Sequence, residues 1–223
     1  INVGNQHVVN EEDHADGVEI GGTGTPGATV DVVLGATTET TTVDDNGTWE
    51  VIFDPVDVDT GEYTTPVEVT ITNDGGTTTV TDTLVVDTVI GVDIAATGGA
   101  DSVINAQEYD GGVTLTGSVS GGDTIVVTID GTDFPAVVTD TTWTLDASPD
   151  VITAGDYHTH DVVVTATDSA GNTSSASSTI VVDTVTSVTV NTSGVGGDDN
   201  VVNNSEHPGG VALNGTAEAG ASV

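Results

Sequence analysis

An internal repeat constrains the fold of this chain more than any other feature. The stretch Thr83–Val89 reads Thr-Leu-Val-Val-Asp-Thr-Val, and it returns at Thr179–Val185 as Thr-Ile-Val-Val-Asp-Thr-Val. Asp87 and Asp183 therefore lie 96 residues apart. A repeat of this spacing predicts a tandem array of similar modules, each about the size of one small domain.

The openings of three blocks align along the chain. Each opening contains an Asn with an acid three residues later, and each leads into a Gly-Val strand that begins at Gly17, Gly112 or Gly210. We therefore predict a first module over residues 1–88, a second over 89–184 and an incomplete start of a third over 185–223. The third piece is too short to bury a core alone.

The segments between these landmarks alternate between apolar and polar residues. They are rich in Val, Ile and Thr, as in Pro66–Ile71 and Asp161–Ala166, and turns rich in Gly, Asn and Asp separate them. This pattern predicts an all-β chain of tandem immunoglobulin-like β-sandwich domains, with about seven strands each. No segment shows a convincing helical period. Trp49 and Trp143 occur once per module, and we expect them in the cores.

The charge balance excludes several classes of function. The chain has no Lys or Arg and 36 acids, so it repels nucleic acid and anionic membrane surfaces. Every close pair of acids must face water, hold a proton or bind a cation. The chain has no Cys, which excludes disulfides and thiol chemistry. It also contains no nucleophile elbow, no phosphate loop and no apolar run of membrane-spanning length, so we expect neither an enzyme nor a membrane-inserted segment.

Side chains that carry oxygen cluster where the modules are expected to meet. Calcium takes six to eight oxygen ligands, so the sequence predicts Ca²⁺ at these junctions. The same residue types form turns and strand caps, and that structural role stays open for each single aspartate. The candidate ligands are Asp87, Asp101, Asn105 and Glu108 at one junction; Asp183, Asp199, Asn203 and Glu206 at the next; Asp168 and Asn172 in a turn; and Asn10 and Asp13 at the first opening.

Several short motifs follow one another in a fixed order, at Gly22 to Val30, Asn46 to Trp49, Gly61 to Tyr63, Thr167 to Ser174 and Val181 to Thr184. This order, with the absence of basic residues, resembles the immunoglobulin-like extender repeats of calcium-dependent bacterial RTX adhesins, a family that includes an ice-binding adhesin of a marine bacterium. The resemblance covers nearly the whole chain. It implies a β-sandwich fold, calcium at the junctions, secretion to the bacterial cell surface and a spacer role.

The function expected from the resemblance is that of a spacer in a giant adhesin. Such a segment projects a ligand-binding tip away from the cell, is rigidified by Ca²⁺, and has neighbouring repeats of the same chain as its partners in a monomeric rod. A module whose loops grip a glycan or a protein is the alternative. A concave surface with an exposed aromatic side chain would favour that alternative, whereas a featureless acidic surface favours the spacer.

Overall fold

The computed structural model describes residues 2–3, 8–95, 103–191, 201–205 and 207–219, and β-strands dominate that part of the chain. The first series of strands is β1 (Asn2–Val3), β2 (Val8–Val9), β3 (Val18–Thr23), β4 (Thr29–Leu34), β5 (Thr37–Thr42), β6 (Thr48–Phe53), β7 (Glu62–Asn73) and β8 (Gly76–Asp87). The second series is β9 (Gly91–Ile94), β10 (Val103–Asn105), β11 (Val113–Ser120), β12 (Thr124–Ile129), β13 (Thr132–Pro135), β14 (Val137–Thr139), β15 (Thr142–Ala147), β16 (His158–Thr167) and β17 (Thr173–Asp183). Two further strands are β18 (Val188–Asn191) and β19 (Asn214–Ala217).

The two series share one topology. In the first series, one sheet has the order β2-β8-β7-β4-β5 and the other has the order β1-β3-β6. In the second series, the corresponding sheets are β10-β17-β16-β12-β13 and β14-β15-β11-β9. Most neighbours in these sheets pair antiparallel, as β7 does with β8 and β12 with β16. The short strands β2 and β10 run parallel to β8 and β17, with Val9 opposite Val86 and Asn105 opposite Asp183.

The alternating sequence explains the core of the first series. Along β6, Trp49, Val51 and Phe53 are buried while the residues between them face solvent. Buried residues of both sheets join one hydrophobic cluster that includes Ile20, Trp49, Val32, Val69 and Leu84. Two sheets that share one core form a β-sandwich, so the predicted fold class is confirmed.

The indole of Trp143 fills the corresponding place in the second series. It is fully buried, and its Nε1 donates a hydrogen bond to the backbone oxygen of Asp93 on β9 (3.0 Å). Gly117 lies directly against the ring, and a Cβ at that position would overlap the indole. The expectation that both tryptophans are core residues is confirmed, since Trp49 is only 5% exposed.

Two short α-helices interrupt the strands among the described residues. Each series contains one six-residue α-helix, α1 (Glu11–Asp16) and α2 (Ala106–Gly111), and short 3-10 turns occur at Pro55–Asp57 and His207–Gly209. Neither α-helix buries a residue, so no apolar stripe marks either one in the sequence. They form because an Asn caps each N-terminus locally, which an amphipathic period does not reveal.

The chain divides into two compact units. The first comprises Ile1–Ala95, Leu115–Leu145 and Asp161–Ser178, and the second comprises Ala96–Thr114, Asp146–His160 and Thr179–Val223. The first unit therefore holds the whole first series together with part of the second. The predicted module boundaries after residues 88 and 184 stay a prediction. No helix among the described residues has both the length and the apolar character to cross a membrane.

Candidate metal sites at the ends of the strand series

The end of each series brings two acids side by side. In the first series, β8 ends on Asp87, which lies opposite Glu62 of β7 in the antiparallel ladder. Thr88 then closes the strand end onto Gly61, since its Oγ1 accepts from Gly61 N (2.8 Å) and its N donates to Gly61 O (3.0 Å).

The same closure recurs in the second series. Gly155 N donates to Thr184 Oγ1 (3.1 Å), and Thr184 N donates to Gly155 O (2.8 Å). Asp183 precedes that threonine as Asp87 precedes Thr88, and Asp156 follows that glycine as Glu62 follows Gly61. The backbone therefore presents a pair of carboxylates at both places.

Four acids surround the end of β8, and we name them the first acid cluster: Glu62, Asp87, Asp123 and Asp168. Burial raises the pKa of Asp87, and the negative charges of Asp168, Glu62 and Asp123 raise it further, in that order. A raised carboxyl pKa means that the ionised form lacks compensation in the fold. The chain has no Lys or Arg that could supply it.

Asp44 shows what a purely structural aspartate looks like in the same molecule. Its carboxylate accepts hydrogen bonds from Thr48 N (2.7 Å), Thr48 Oγ1 (2.9 Å) and Asn46 N (3.0 Å). These bonds, first that from Thr48 N, lower the pKa of Asp44. The turn after β5 is thus satisfied by the protein alone, whereas the first acid cluster has an excess of negative charge.

Asn172 lies at the centre of the first acid cluster and is 4% exposed. Its Nδ2 donates to the backbone oxygen of Asp87 (2.7 Å) and to Asp168 Oδ2 (2.8 Å). Its Oδ1 accepts from Glu11 N (2.7 Å) at the start of α1. Asn10 adds a second link, because its Nδ2 donates to Ala170 O (3.0 Å) in the same turn. The structure thus brings together four of the predicted residues: Asp87, Asp168, Asn172 and Asn10.

A second acid cluster lies at the end of the second series and consists of Asp156, Asp183 and Glu218. One carboxylate oxygen from each residue lies within 4.8 Å of the others. Two oxygens on opposite sides of a calcium ion are about 4.6–5.2 Å apart, twice the usual Ca–O distance. Asp183 Oδ1 is buried and has no hydrogen-bond partner among the described residues. A donor set made only of carboxylates, with one buried oxygen left over, fits a hard divalent cation such as Ca²⁺.

The Asn-x-x-acid segment at Asn105 caps a helix, and the predicted ligand roles of Asn105 and Glu108 stay predictions. Asn105 Oδ1 accepts from Gln107 N (2.9 Å) and Glu108 N (3.1 Å), while Glu108 Oε2 accepts from Asn105 N (3.0 Å). This reciprocal arrangement is a capping box at the start of α2, and it accounts for the spacing without a metal. Asn105 was grouped with Asp87 in the sequence, but the parallel ladder aligns it with Asp183.

The remaining candidate ligands fall into two groups. Asp13 and Asn203 are described, and both take part in local hydrogen bonds: Asp13 N donates to Asn10 Oδ1 (2.8 Å), and Asn203 Oδ1 accepts from Ser205 N (2.9 Å). Asp101, Asp199 and Glu206 lie outside the described residues. Their predicted roles as ligands stay predictions.

Sequence reasoning did not single out Glu62, Asp123, Asp156 or Glu218 as functional residues. A signal for two of them was present, because Gly61-Glu62-Tyr63 returns as Gly155-Asp156-Tyr157. That repeat showed which residues correspond, but the register of β7 against β8 decides that Glu62 lies opposite Asp87. Asp123 and Glu218 occupy different places in their blocks, so no repeat pointed to them.

Three solved structures place these observations among known proteins. One, described as a Ca²⁺-stabilized adhesin that helps an Antarctic bacterium reach out and bind ice, is 33% identical over 97% of this chain and 56% of that chain, with a TM-score of 0.45. This chain thus spans a little over half of that structure. A second, from work on host cell surface retention of a 1.5-MDa bacterial ice-binding adhesin, is 30% identical over 98% of this chain and 76% of that chain, with a TM-score of 0.46.

The third structure is a bacterial immunoglobulin-like domain from the M. primoryensis ice-binding adhesin. It is 32% identical over 41% of this chain and 95% of that chain, with a TM-score of 0.31. All three TM-scores are below 0.5, so the family assignment is based on the sequence identities and on the shares of the chains that are covered. No family model matches the sequence, and no curated protein matches it.

Proposed function

Because this chain belongs to the family of immunoglobulin-like repeats of large bacterial adhesins, we propose that it is a spacer segment of such an adhesin, ordered by Ca²⁺ where one module meets the next. In this role the chain projects a ligand-binding tip away from the cell surface to which the adhesin is secreted. Its partners are Ca²⁺ and the neighbouring repeats, and its working form is a monomeric rod.

One observation carries the calcium part of the proposal. In the second acid cluster, carboxylate oxygens of Asp156, Asp183 and Glu218 converge within 4.8 Å, and Asp183 Oδ1 is buried without a partner among the described residues. Unpaired buried charge is costly unless a counter-charge or hydrogen bonds offset it. The chain contains no Lys or Arg, and we propose that a bound cation supplies the positive charge at this cluster.

The residues around these clusters fix the positions of the carboxylates that would bind a cation. Thr88 and Thr184 fix the strand ends that carry Asp87 and Asp183, so those carboxylates are preorganised. Bound Ca²⁺ supplies positive charge that cancels the repulsion among the carboxylates. Glu218 comes from the chain beyond the second series, which means that its carboxylate ties the third block to Asp156 and Asp183 when the cluster is neutralised.

Calcium removal tests this function directly. A ligand that binds only the ordered state stabilises it by about 2.7 kcal/mol per site at a hundred times Kd. We expect thermal unfolding, followed by circular dichroism, to shift to a clearly higher Tm in millimolar CaCl₂ than in EDTA. Small-angle X-ray scattering, extrapolated to zero protein concentration, should show a narrower distribution of molecular dimensions in CaCl₂ than in EDTA. Equal concentrations of MgCl₂ serve as the control, because Mg²⁺ demands smaller, octahedral sites and retains its waters.

Identical melting curves and identical scattering in CaCl₂ and in EDTA would contradict the calcium-ordered spacer. If MgCl₂ raised Tm and narrowed the scattering distribution as much as CaCl₂ does, the effect would be general charge screening. Any divalent salt screens charge, whereas a specific calcium site distinguishes Ca²⁺ from Mg²⁺.

A further inference from the structure

We propose that Asn172 is a metal-independent clasp of the first acid cluster, a positioning residue rather than a calcium ligand. Its role rests on the spacer function proposed above, because Asn172 supplies the part of the order at this junction that does not need a cation. Four hydrogen-bonded contacts carry this assignment, together with the burial of the side chain and the charges around it.

The side-chain amide of Asn172 is already in use. An asparagine side chain has two N–H donors and one carbonyl acceptor. Here the donors reach Asp87 O (2.7 Å) and Asp168 Oδ2 (2.8 Å), and the carbonyl accepts from Glu11 N (2.7 Å). One of the two lone pairs of the oxygen that would ligate a metal is therefore engaged by a backbone N–H in a short, part-buried bond.

These bonds join parts of the chain that are far apart in sequence. Asn172 is separated from Asp87 by 85 positions and from Glu11 by 161 positions. The link between Asn10 Nδ2 and Ala170 O (3.0 Å) runs beside them. The turn after β16 thus holds both the end of β8 and the start of α1, and all of these residues lie in the first compact unit.

The turn that presents Asn172 also has hydrogen bonds of its own. Asp168 Oδ1 accepts from Asn172 N (2.8 Å), Gly171 N donates to Asp168 O (3.3 Å), and Gly171 has a φ of 94°, which glycine adopts at low cost. A preorganised turn loses little conformational entropy when it docks. The clasp can therefore hold without help from a bound ion.

The charges around Asn172 explain why an amide occupies this position. Its N–H groups point at oxygens of two aspartates, Asp87 and Asp168. An aspartate at position 172 would have no N–H to donate and would add one more negative charge. Asn172→Asp therefore distinguishes the two roles. The variant loses the side-chain N–H groups that a donor needs but keeps the side-chain oxygen that a metal ligand needs.

The test measures the width of a distance distribution between two labelled positions of the full chain, in CaCl₂ and in EDTA. Since the chain has no Cys, cysteines at the exposed positions Thr38 and Thr139 take spin labels for a distance distribution by pulsed electron resonance. In EDTA we expect a wider distribution for Asn172→Ala and for Asn172→Asp than for the otherwise unchanged labelled chain. Asn46→Ala is the matched control, because Asn46 lies in a similar turn beside Asp44 but is exposed.

A second variant removes one bond of the clasp without touching Asn172. Glu11 is the first residue of α1, where proline is well tolerated, and Asn10 before it has the extended conformation that precedes proline. Glu11→Pro deletes the N–H that Asn172 Oδ1 accepts. We expect it to widen the distribution in EDTA, whereas Glu11→Gln, which keeps the N–H, and Ala106→Pro, the same change in α2, should not.

Calcium affinity, measured by titration calorimetry, separates the two roles. Loss of a residue that positions a ligand lowers metal affinity by about 10- to 100-fold, and we expect Asn172→Asp to be no better than Asn172→Ala. An affinity of Asn172→Asp equal to or above that of the original chain would overturn the assignment, as would an unchanged distribution in EDTA for Asn172→Ala and Glu11→Pro. Failure of the spacer proposal gives a different result. Calcium would then change neither the Tm nor the scattering of the original chain, while the distance distributions of the Asn172 variants in EDTA would still be wider than that of the original chain.

Discussion

The two acid clusters answer the same electrostatic problem in different ways. Each contains a pair of corresponding acids next to a threonine that is hydrogen-bonded to a glycine. Glu62 lies opposite Asp87 in the antiparallel ladder, and Asp156 and Asp183 bring carboxylate oxygens within 4.8 Å of each other. In the first cluster, a buried amide donates to two of the aspartates. In the second, among the described residues, the carboxylates face one another and one oxygen is left without a partner. A chain without basic residues can thus offset part of its buried negative charge with amide donors. We infer that a cation offsets the rest at the first cluster and acts without an amide donor at the second.

The largest expected effect is on the second cluster. Asp183→Asn removes the carboxylate whose Oδ1 is buried and unpartnered, so calcium affinity there should fall by at least about 100-fold, the upper end of what loss of a supporting residue costs. Titration calorimetry of the full chain measures the lost site. Asp110→Asn, which removes an exposed acid of α2, is the control. Equal calcium binding by the two variants would show that the second cluster is not a metal site.

Asp87→Asn should change Tm in opposite directions in CaCl₂ and in EDTA. In calcium it weakens binding at the first cluster and lowers Tm. In EDTA it removes a carboxylate whose pKa is raised by burial and by Asp168, Glu62 and Asp123, so it should raise Tm at neutral pH. A raised folded-state pKa means that the folded chain binds the proton more tightly. Stability is therefore lost as the pH rises from the ordinary aspartate pKa through the raised one, and the gain from Asp87→Asn should vanish below that window.

Asp44→Asn is the opposite-sign control for that experiment. The hydrogen bonds from Thr48 and Asn46 lower the pKa of Asp44, so its contribution is present above the ordinary aspartate pKa and is lost as the pH falls through the lowered one. The variant should lower Tm at neutral pH and change nothing in acid, with or without calcium. If both aspartates respond to pH in the same direction in EDTA, the contrast between the cluster and the turn is wrong.

The smallest effect is expected at an acid pair outside both clusters. The pKa of Glu19 on β3 is raised by a hydrogen bond with Glu50, then by the charge of Glu50, and then by burial. Both side chains are exposed, so Glu19→Gln should raise Tm only slightly at neutral pH. Salt screens such pairs, so the gain should disappear in high NaCl and should not depend on calcium. A gain that depends on calcium would place this pair among the metal sites.

Local sequence predicted the sandwich well because the strands are amphipathic with period two. The burial of Trp49, Val51 and Phe53 along β6 follows directly from that alternation. The helices α1 and α2 escaped notice because each is six residues long and is held by a capping asparagine rather than by an apolar stripe. The spacing of Asn105 and Glu108 is compatible with a capping box and with a pair of metal ligands. The capping box is formed, and the ligand roles stay a prediction.

The candidate site was only partly predictable for a different reason. Asp87, Asp168 and Asn172 were found because they end strands or form turns, which are local properties. Which acids surround them depends on strand register and on contacts between residues about 85 to 160 positions apart, as for Asn172 with Asp87 and Glu11. A single sequence carries the repeat of Glu62 and Asp156 but not the pairing that places them beside Asp87 and Asp183.

The parallel ladders described above bear on how such a chain carries tension. The first-series strand β2 enters beside β8, from which the chain leaves, and β10 and β17 repeat this arrangement. When the two ends of a series are pulled apart, strands that run in the same direction slide past each other. All the bonds of the ladder are then stretched at once instead of opening one by one like a zipper. A ladder loaded in this way resists separation of its ends more strongly than one whose bonds open in turn.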